Sequence, residues 1–135
     1  MKSFFQEKGA NTGSHNMEFD LRLADESESE SIYLRLYTWD PYCISLGANQ
    51  SIESLDLKKL NDDGFDCVKR PTGGRAVFHS EELTYSVVIN SGTFTPKGAY
   101  KQINEALLRG LSFFDPRLTD AGLENEEVNF KQHYN

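Results

Sequence analysis

The sequence predicts an α+β fold in which a mixed, largely antiparallel sheet carries packed helices, and three features of its 135 residues lead there. Residues 32–37 and 83–90 alternate in side-chain character with the two-residue period of strands. Between Thr95-Pro96 and Pro116, the residues Tyr100, Ile103, Leu107, Leu108, Leu111 and Phe114 recur at helical spacing, a stripe that has to be buried against a sheet. In between, two short apolar stretches meet at a glycine pair, which puts a loop at a strand end. At this length the chain is one domain at most, and no internal repeat divides it.

From the N-terminus, Asn16 can cap a helix whose Met17, Leu21 and Ala24 share a face, and the acidic, serine-rich run 25–31 reads as its solvated end and a loop. In the strand 32–37, Ile32, Leu34 and Leu36 lie on one face and Tyr33, Arg35 and Tyr37 on the other. The stretch W-D-P-Y-C-I-S-L-G-A-N-Q follows, with Cys43 in mid-strand beside Ile44 and Leu46, where a buried, inert thiol fits best. Taken alone, Trp39 fits a core residue better than a ligand platform. Residues 54–61 form a short helix with Leu57 and Leu60 inward, ended by Asp62-Asp63-Gly64. A strand over 66–70 leads to the glycine pair, a second apolar stretch follows at 76–78, and 83–90 is the longest strand and a central one. From Asp120 to Asn135 the chain is a polar, acidic, poorly ordered tail.

Net charge is -7, which argues against a nucleic-acid groove or an anionic membrane surface as partner. No apolar run approaches membrane-spanning length and the start lacks a signal peptide's hydrophobic region, so the expected location is the cytoplasm. Two cysteines, Cys43 and Cys67, make neither a disulfide framework nor a metal spacing, and no bound metal is expected.

The chemistry concentrates in K-R-P-T-G-G-R-A-V-F-H-S-E-E-L-T-Y-S, residues 69–86. Glycines without Cβ atoms let a ligand approach main-chain N–H groups, and Arg70 and Arg75 flank them with planar, bidentate charge suited to carboxylate or phosphate. A bare G-G-R also fits a hairpin turn with solvated arginines. A lone histidine such as His79 is more often structural than catalytic.

The length of the match favours the first reading. R-P-T-G-G-R-A-V-F-H followed by E-L-T-Y-S resembles the signature of the lipoate-protein ligase A and octanoyltransferase family, which shares its fold with biotin-protein ligases and class II synthetases. Asn16-Met17-x-x-Asp20 resembles that family's first helix, and Trp39-x-Pro41, Ser45-x-Gly47 and Gln50 its first strands and turn. Gly-Gly-Arg is more similar to the octanoyltransferase and amidotransferase branches than to the ATP-dependent ligases, whose loop reads Gly-Gly-Gly.

The resemblance implies protein lipoylation: transfer of a lipoyl or octanoyl group to a lysine of a lipoyl-carrier domain, of the glycine cleavage H or dehydrogenase E2 type. ATP and magnesium would serve only in the ligase branch. It also implies substrate contacts at Arg70, Thr72, Gly73, Gly74, Arg75, Ala76 and His79, the last as a ligand contact rather than a base, and a pocket wall of Trp39, Ser45, Gly47 and Tyr85. The family's catalytic lysine, in Gly-x-Lys-x-x-Gly-x-Ala, and its catalytic cysteine lie beyond the helix that ends here near Phe114, so the resemblance is to an N-terminal portion and no catalytic residue is assigned. Cys43 and Cys67 precede the loop, and Lys131 lacks the glycine pattern. Three readings stay open: the N-terminal part of a transferase or ligase, inactive alone; one subunit of a split enzyme completed by a C-terminal subunit; or a non-catalytic protein that binds acyl or nucleotide groups.

Overall fold

The computed structural model describes residues 1–120, so the expected tail, apart from Asp120 at its start, lies outside the described residues. The chain divides into two units, Met1–Ser91 and a second that begins at Gly92. The first holds strands β1 (Lys2–Asn11), β2 (Ser31–Trp39), β3 (Cys43–Leu46), β4 (Asp66–Lys69), β5 (Val77–His79) and β6 (Thr84–Asn90), with helices α1 (Gly13–Glu26) and α2 (Leu57–Asp62). The second holds α3 (Pro96–Ser112) and a 3-10 turn, Pro116–Asp120. The fold is mixed α+β.

The strands make two three-stranded sheets, β1-β2-β6 and β4-β3-β5, each with one parallel and one antiparallel pair. The mixed α+β class is as expected, with the strands in two sheets and parallel pairs as numerous as antiparallel ones. The ten-residue β1 has no counterpart in the sequence reading, because K-S-F-F-Q-E-K-G-A-N lacks clean alternation. Among the described residues β6 ends its sheet instead of lying at its centre, and at seven residues it is shorter than β1 and β2.

Helix α1 starts three residues before the expected cap. Thr12 Oγ1 accepts from the His15 N–H, and the Asp66 carboxylate accepts from the Gly13 N–H at 2.8 Å, so a side chain from β4 satisfies a second open donor. Gly13 has to be glycine: a Cβ there would sit 2.7 Å from Val68 Cγ1 and 2.8 Å from Cys43 Sγ. The core of this unit joins Met17, Tyr37, Trp39, Cys43 and Val68.

On β2 the alternation is present, and the buried face is the one that carries a charge. Tyr33, Arg35, Tyr37 and Trp39 are buried, whereas Ile32, Leu34 and Leu36 are half-exposed. Helix α1 brings Asn16 and Asp20 to that face, and their oxygens accept from both Nη groups of Arg35, while its buried Nε has no hydrogen-bond partner. Leu57, expected inward, is 44% exposed, and α2 has no buried residue. Thr95 caps α3 and Pro96 opens it as expected, but no residue of its apolar stripe is buried. Among the described residues of its own unit, α3 meets only the short turn Pro116–Asp120, which is too small to cover the stripe.

Candidate acyl site

The glycine loop is not a hairpin turn. Its flanking strands β4 and β5 both pair with β3, from opposite sides, so the loop has to arch over the C-terminal end of β3. The Ala48 N–H donates to the Thr72 carbonyl at 2.9 Å, and the Arg70 N–H to the Leu46 carbonyl at 2.8 Å. Beneath the arch, a Cβ on Gly47 would come within 1.9 Å of the Gly74 carbonyl oxygen. Gly74 itself has φ +98°, in the region that favours glycine.

Arg70 is the strut of this arch. Its Nη1 donates to the Ser45 carbonyl at 2.7 Å and to Ser45 Oγ at 2.6 Å, while Nη2 donates to the carbonyls of Arg75 at 2.7 Å and Gly73 at 3.4 Å. Burial lowers the Arg70 pKa, and Tyr37 opposes that shift. With the carbonyls of Thr72, Gly73 and Arg75 turned inward, the N–H groups of residues 72–75 make no hydrogen bond among the described residues.

From the arch a network continues inward. Ser45 Oγ lies 2.6 Å from His79 Nε2, and His79 Nδ1 lies 2.5 Å from Glu82 Oε1. The imidazole stacks on the Trp39 indole at 4.0 Å and 14°. Trp39 Nε1 donates to Thr84 Oγ1 at 2.7 Å, and Thr84 Oγ1 donates to Glu82 Oε1 at 2.7 Å. Burial works against charge on Glu82, but hydrogen bonds from His79 and Thr84 outweigh it and hold its carboxyl below the ordinary value. Both nitrogens of His79 are occupied by protein groups, which leaves neither free to take a proton from a ligand.

A cavity of about 460 Å³ opens beside this network, within the usual range for small-molecule sites. Helix α1 contributes Met17, Asp20, Leu21 and Ala24, β2 contributes Tyr37 and Trp39, and β6 contributes the run from Thr84 to Val88. Arg70, Pro71, Thr72 and His79 also line it. Of the expected residues, the cavity therefore gathers Trp39, Arg70, Thr72, His79 and Tyr85. Ser45 and Gly47 are buried under the arch, and Gly73, Gly74, Arg75 and Ala76 belong to the loop without lining the cavity, Arg75 and Ala76 being exposed.

One wall carries charge. Arg35, fully buried, donates to Asp20 Oδ1 at 2.6 Å and to Asn16 Oδ1 at 2.5 Å, with its guanidinium carbon 3.8 Å from the Tyr37 ring centroid. Ser86 Oγ donates to Asp20 Oδ1 at 2.9 Å. Burial and the Asp20 carboxylate raise the Tyr37 pKa far above its ordinary value, keeping the phenol a donor. This gives Asn16-Met17-x-x-Asp20 a physical content: Met17 and Asp20 face the cavity, and Asn16 holds the cation behind it. Glu82, Thr84 and Arg35 were given no role in the sequence reading. His79 and Glu82 at i, i+3 offered a faint signal, but the partners of Arg35 come from another element.

Residues 12–125 match the lipoyl protein ligase A/B catalytic domain. The chain belongs to that family. It is 39% identical over 101 residues to octanoyltransferase LipM of Clostridioides difficile (strain 630), covering 71% of this chain and 35% of that one. It is 38% identical over 112 residues to octanoyltransferase LipM of Staphylococcus aureus (strain NCTC 8325), covering 74% and 40%. The chain thus spans about two fifths or less of the length of these curated relatives. In fold it is similar to a bi-partite lipoate protein ligase of Thermoplasma acidophilum, solved with its E2 lipoyl domain (TM-score 0.73, 24% identity, 84% of this chain and 46% of that one). It is equally similar to lipoate-protein ligase A bound with ATP (TM-score 0.73, 24% identity, 84% and 47%). In this lipoyl protein ligase family member, no helix among the described residues is long and apolar enough to cross a membrane. Among the same residues no group of three or more His, Cys, Asp or Glu is placed to hold a metal ion.

Proposed function

We propose that this chain is the acyl-binding part of a cytoplasmic octanoyl or lipoyl transferase that modifies a lysine of a lipoyl-carrier domain, of the glycine cleavage H or dehydrogenase E2 type. The observation that carries it is the apolar cavity lined at one side by Arg70, Pro71 and Thr72, where a glycine arch begins whose N–H groups at residues 72–75 make no hydrogen bond among the described residues. Met17, Leu21, Val87 and Val88 suit an acyl chain, and burial of each methylene contributes roughly 0.8 kcal/mol. The Thr72 hydroxyl and the free N–H groups suit the carbonyl oxygen as it gains charge, and Arg70 holds their frame rather than spending itself on the ligand. Arg75, exposed, is left for an anionic group at the rim. Identity to octanoyltransferases favours transfer from an existing acyl carrier over the use of ATP and magnesium.

Among the described residues no lysine or cysteine lines the cavity, so the group that activates or carries the acyl unit comes from elsewhere. The bi-partite ligase of Thermoplasma acidophilum favours a second polypeptide as one source. Trp39 is the only tryptophan, and it forms part of the wall. Titration with octanoic acid should therefore change its fluorescence saturably, and a flat titration up to millimolar ligand would count against acyl binding. A purely nucleotide-binding protein would respond to ATP instead.

A further inference from the structure

The side-chain network beside the cavity has a fixed direction. At one end stands Arg70, whose guanidinium can only donate, and at the other Trp39, whose indole N–H can only donate. Arg70 Nη1 donates to Ser45 Oγ, so the Ser45 hydroxyl hydrogen is free to turn to His79 Nε2, 2.6 Å away. A nitrogen that accepts there carries no hydrogen, and the ring hydrogen resides on Nδ1, facing Glu82 at 2.5 Å. From the other side Trp39 donates to Thr84 Oγ1, which turns the Thr84 hydrogen onto the same Glu82 oxygen. Both chains of donors end on one carboxylate, which receives the His79 Nδ1 and Thr84 hydrogens, and an ionised carboxylate is the one side chain in the set that can only accept.

We propose that Glu82 is a positioning residue of the acyl site: acting through His79, it fixes the imidazole in the Nδ1–H form, so that Nε2 takes the Ser45 hydrogen and the hydroxyl keeps a lone pair aimed at Arg70. Without Glu82 the ring hydrogen has no partner on Nδ1 and can move to Nε2. Nε2–H then donates to Ser45 Oγ, which turns the Ser45 hydrogen away from the ring and re-aims the lone pair that accepts from Arg70. Arg70 is what ties down the carbonyls of Gly73 and Arg75, so the arch loosens with it. The His79 ring also loses its tether against Trp39, and the cavity wall with it.

The test has two arms, of which only the second rests on the acyl-binding reading. In the first, nitrogen-15 NMR of the histidine rings at neutral pH should show His79 protonated on Nδ1 with a bare Nε2. Glu82→Ala should mix or invert that pattern, Glu82→Gln should restore it because an amide oxygen still accepts from Nδ1–H, and Glu81→Ala should leave it alone, since Glu81 bonds Tyr42 outside the network. In the second, octanoate affinity read from Trp39 fluorescence should fall about tenfold in Glu82→Ala, the scale of one hydrogen bond to a charged group, and recover in Glu82→Gln. A wild-type His79 carrying its hydrogen on Nε2 overturns the proposal, and that measurement stands even where Glu82→Ala does not fold. So does a Glu82→Ala chain that keeps both the tautomer and the affinity. Wild-type protein that binds no octanoate but shows the Nδ1–H form would sink the acyl reading and leave the positioning role in place.

Discussion

Burial pushes the Cys43 thiol up to about 12, with the Asp66 carboxylate adding to it, and raises Cys67 by the same two causes. Cys43 is fully buried, and it pairs with Asp66 while Ile44 pairs with Cys67, so the two sulfurs point to opposite faces of their sheet and form no disulfide. A thiol reagent at neutral pH should label both slowly, and Cys43 at a measurable rate only after unfolding; rapid labelling of Cys43 in the folded chain would contradict its place in the core. Glu82 contributes a pH dependence to stability. Its carboxyl pKa is depressed on folding, so the stability it contributes is present above the unfolded value near about 4.3 and is lost as pH falls through the lower folded value. Thermal unfolding of wild type and Glu82→Gln between about pH 3 and 7, a range that spans the carboxylate titration, should show the wild type losing its advantage only at the acid end. An advantage that persists unchanged to the acid limit would mean that Glu82 is not held ionised by His79 and Thr84.

At the scale of elements, the arch depends on two chain segments approaching each other at Gly47. Gly47→Ala places a Cβ on the backbone oxygen of Gly74, which cannot rotate away as a side chain would, and should destabilise by about 1–3 kcal/mol while weakening octanoate binding. Gly110→Ala, in the helix α3 with nothing near its Cβ, should instead stabilise by about 0.5–1 kcal/mol. Equal unfolding midpoints for the two variants would show that the arch is not pressed on β3. Strand β2 makes a second case. Arg35→Ala leaves the Asp20 carboxylate, 18% exposed, with the Ser86 and Tyr37 hydroxyls but without its cation, and should cost about 3–5 kcal/mol by denaturant unfolding. A cost below about 1 kcal/mol, the range of exposed pairs, would show that water reaches this one.

For the whole molecule, the cavity's lack of lysine and cysteine among the described residues sets the expectation for catalysis. Residues 1–135 alone should transfer no octanoyl or lipoyl group to a carrier domain, with or without ATP and magnesium, as read by the intact mass of the carrier. On the proposed function, supplying the part of an octanoyltransferase LipM relative that this chain does not cover, as a separate polypeptide, should produce transfer. That activity should fall roughly 10²-fold in Gly74→Val, where a β-branched residue would have to adopt φ +98° and the N–H donors of the arch would move. Full turnover in both Gly74→Val and Arg75→Ala would reduce the arch to a connection between strands.

Periodicity and glycine chemistry carried much of this molecule in one dimension. The strand alternation of 32–37, the proline-opened helix after Thr95 and the glycine loop after Arg70 are local properties of the chain, and so is the string of residues at 70–79 that marks the family. Which face of β2 is buried was not local, because Arg35 becomes a core residue only when Asn16 and Asp20 arrive from α1 to accept from its Nη groups. The same holds for the loop, which reads as a hairpin until β3 is seen between its two strands. Ser45 and His79 lie 34 residues apart and Trp39 and Thr84 45 apart, and their hydrogen bonds exist because separate strands deliver them to one spot. A pattern of spacing records how a segment meets a surface. The partner that satisfies a buried charge or hydroxyl comes from another segment, and only packing brings it there.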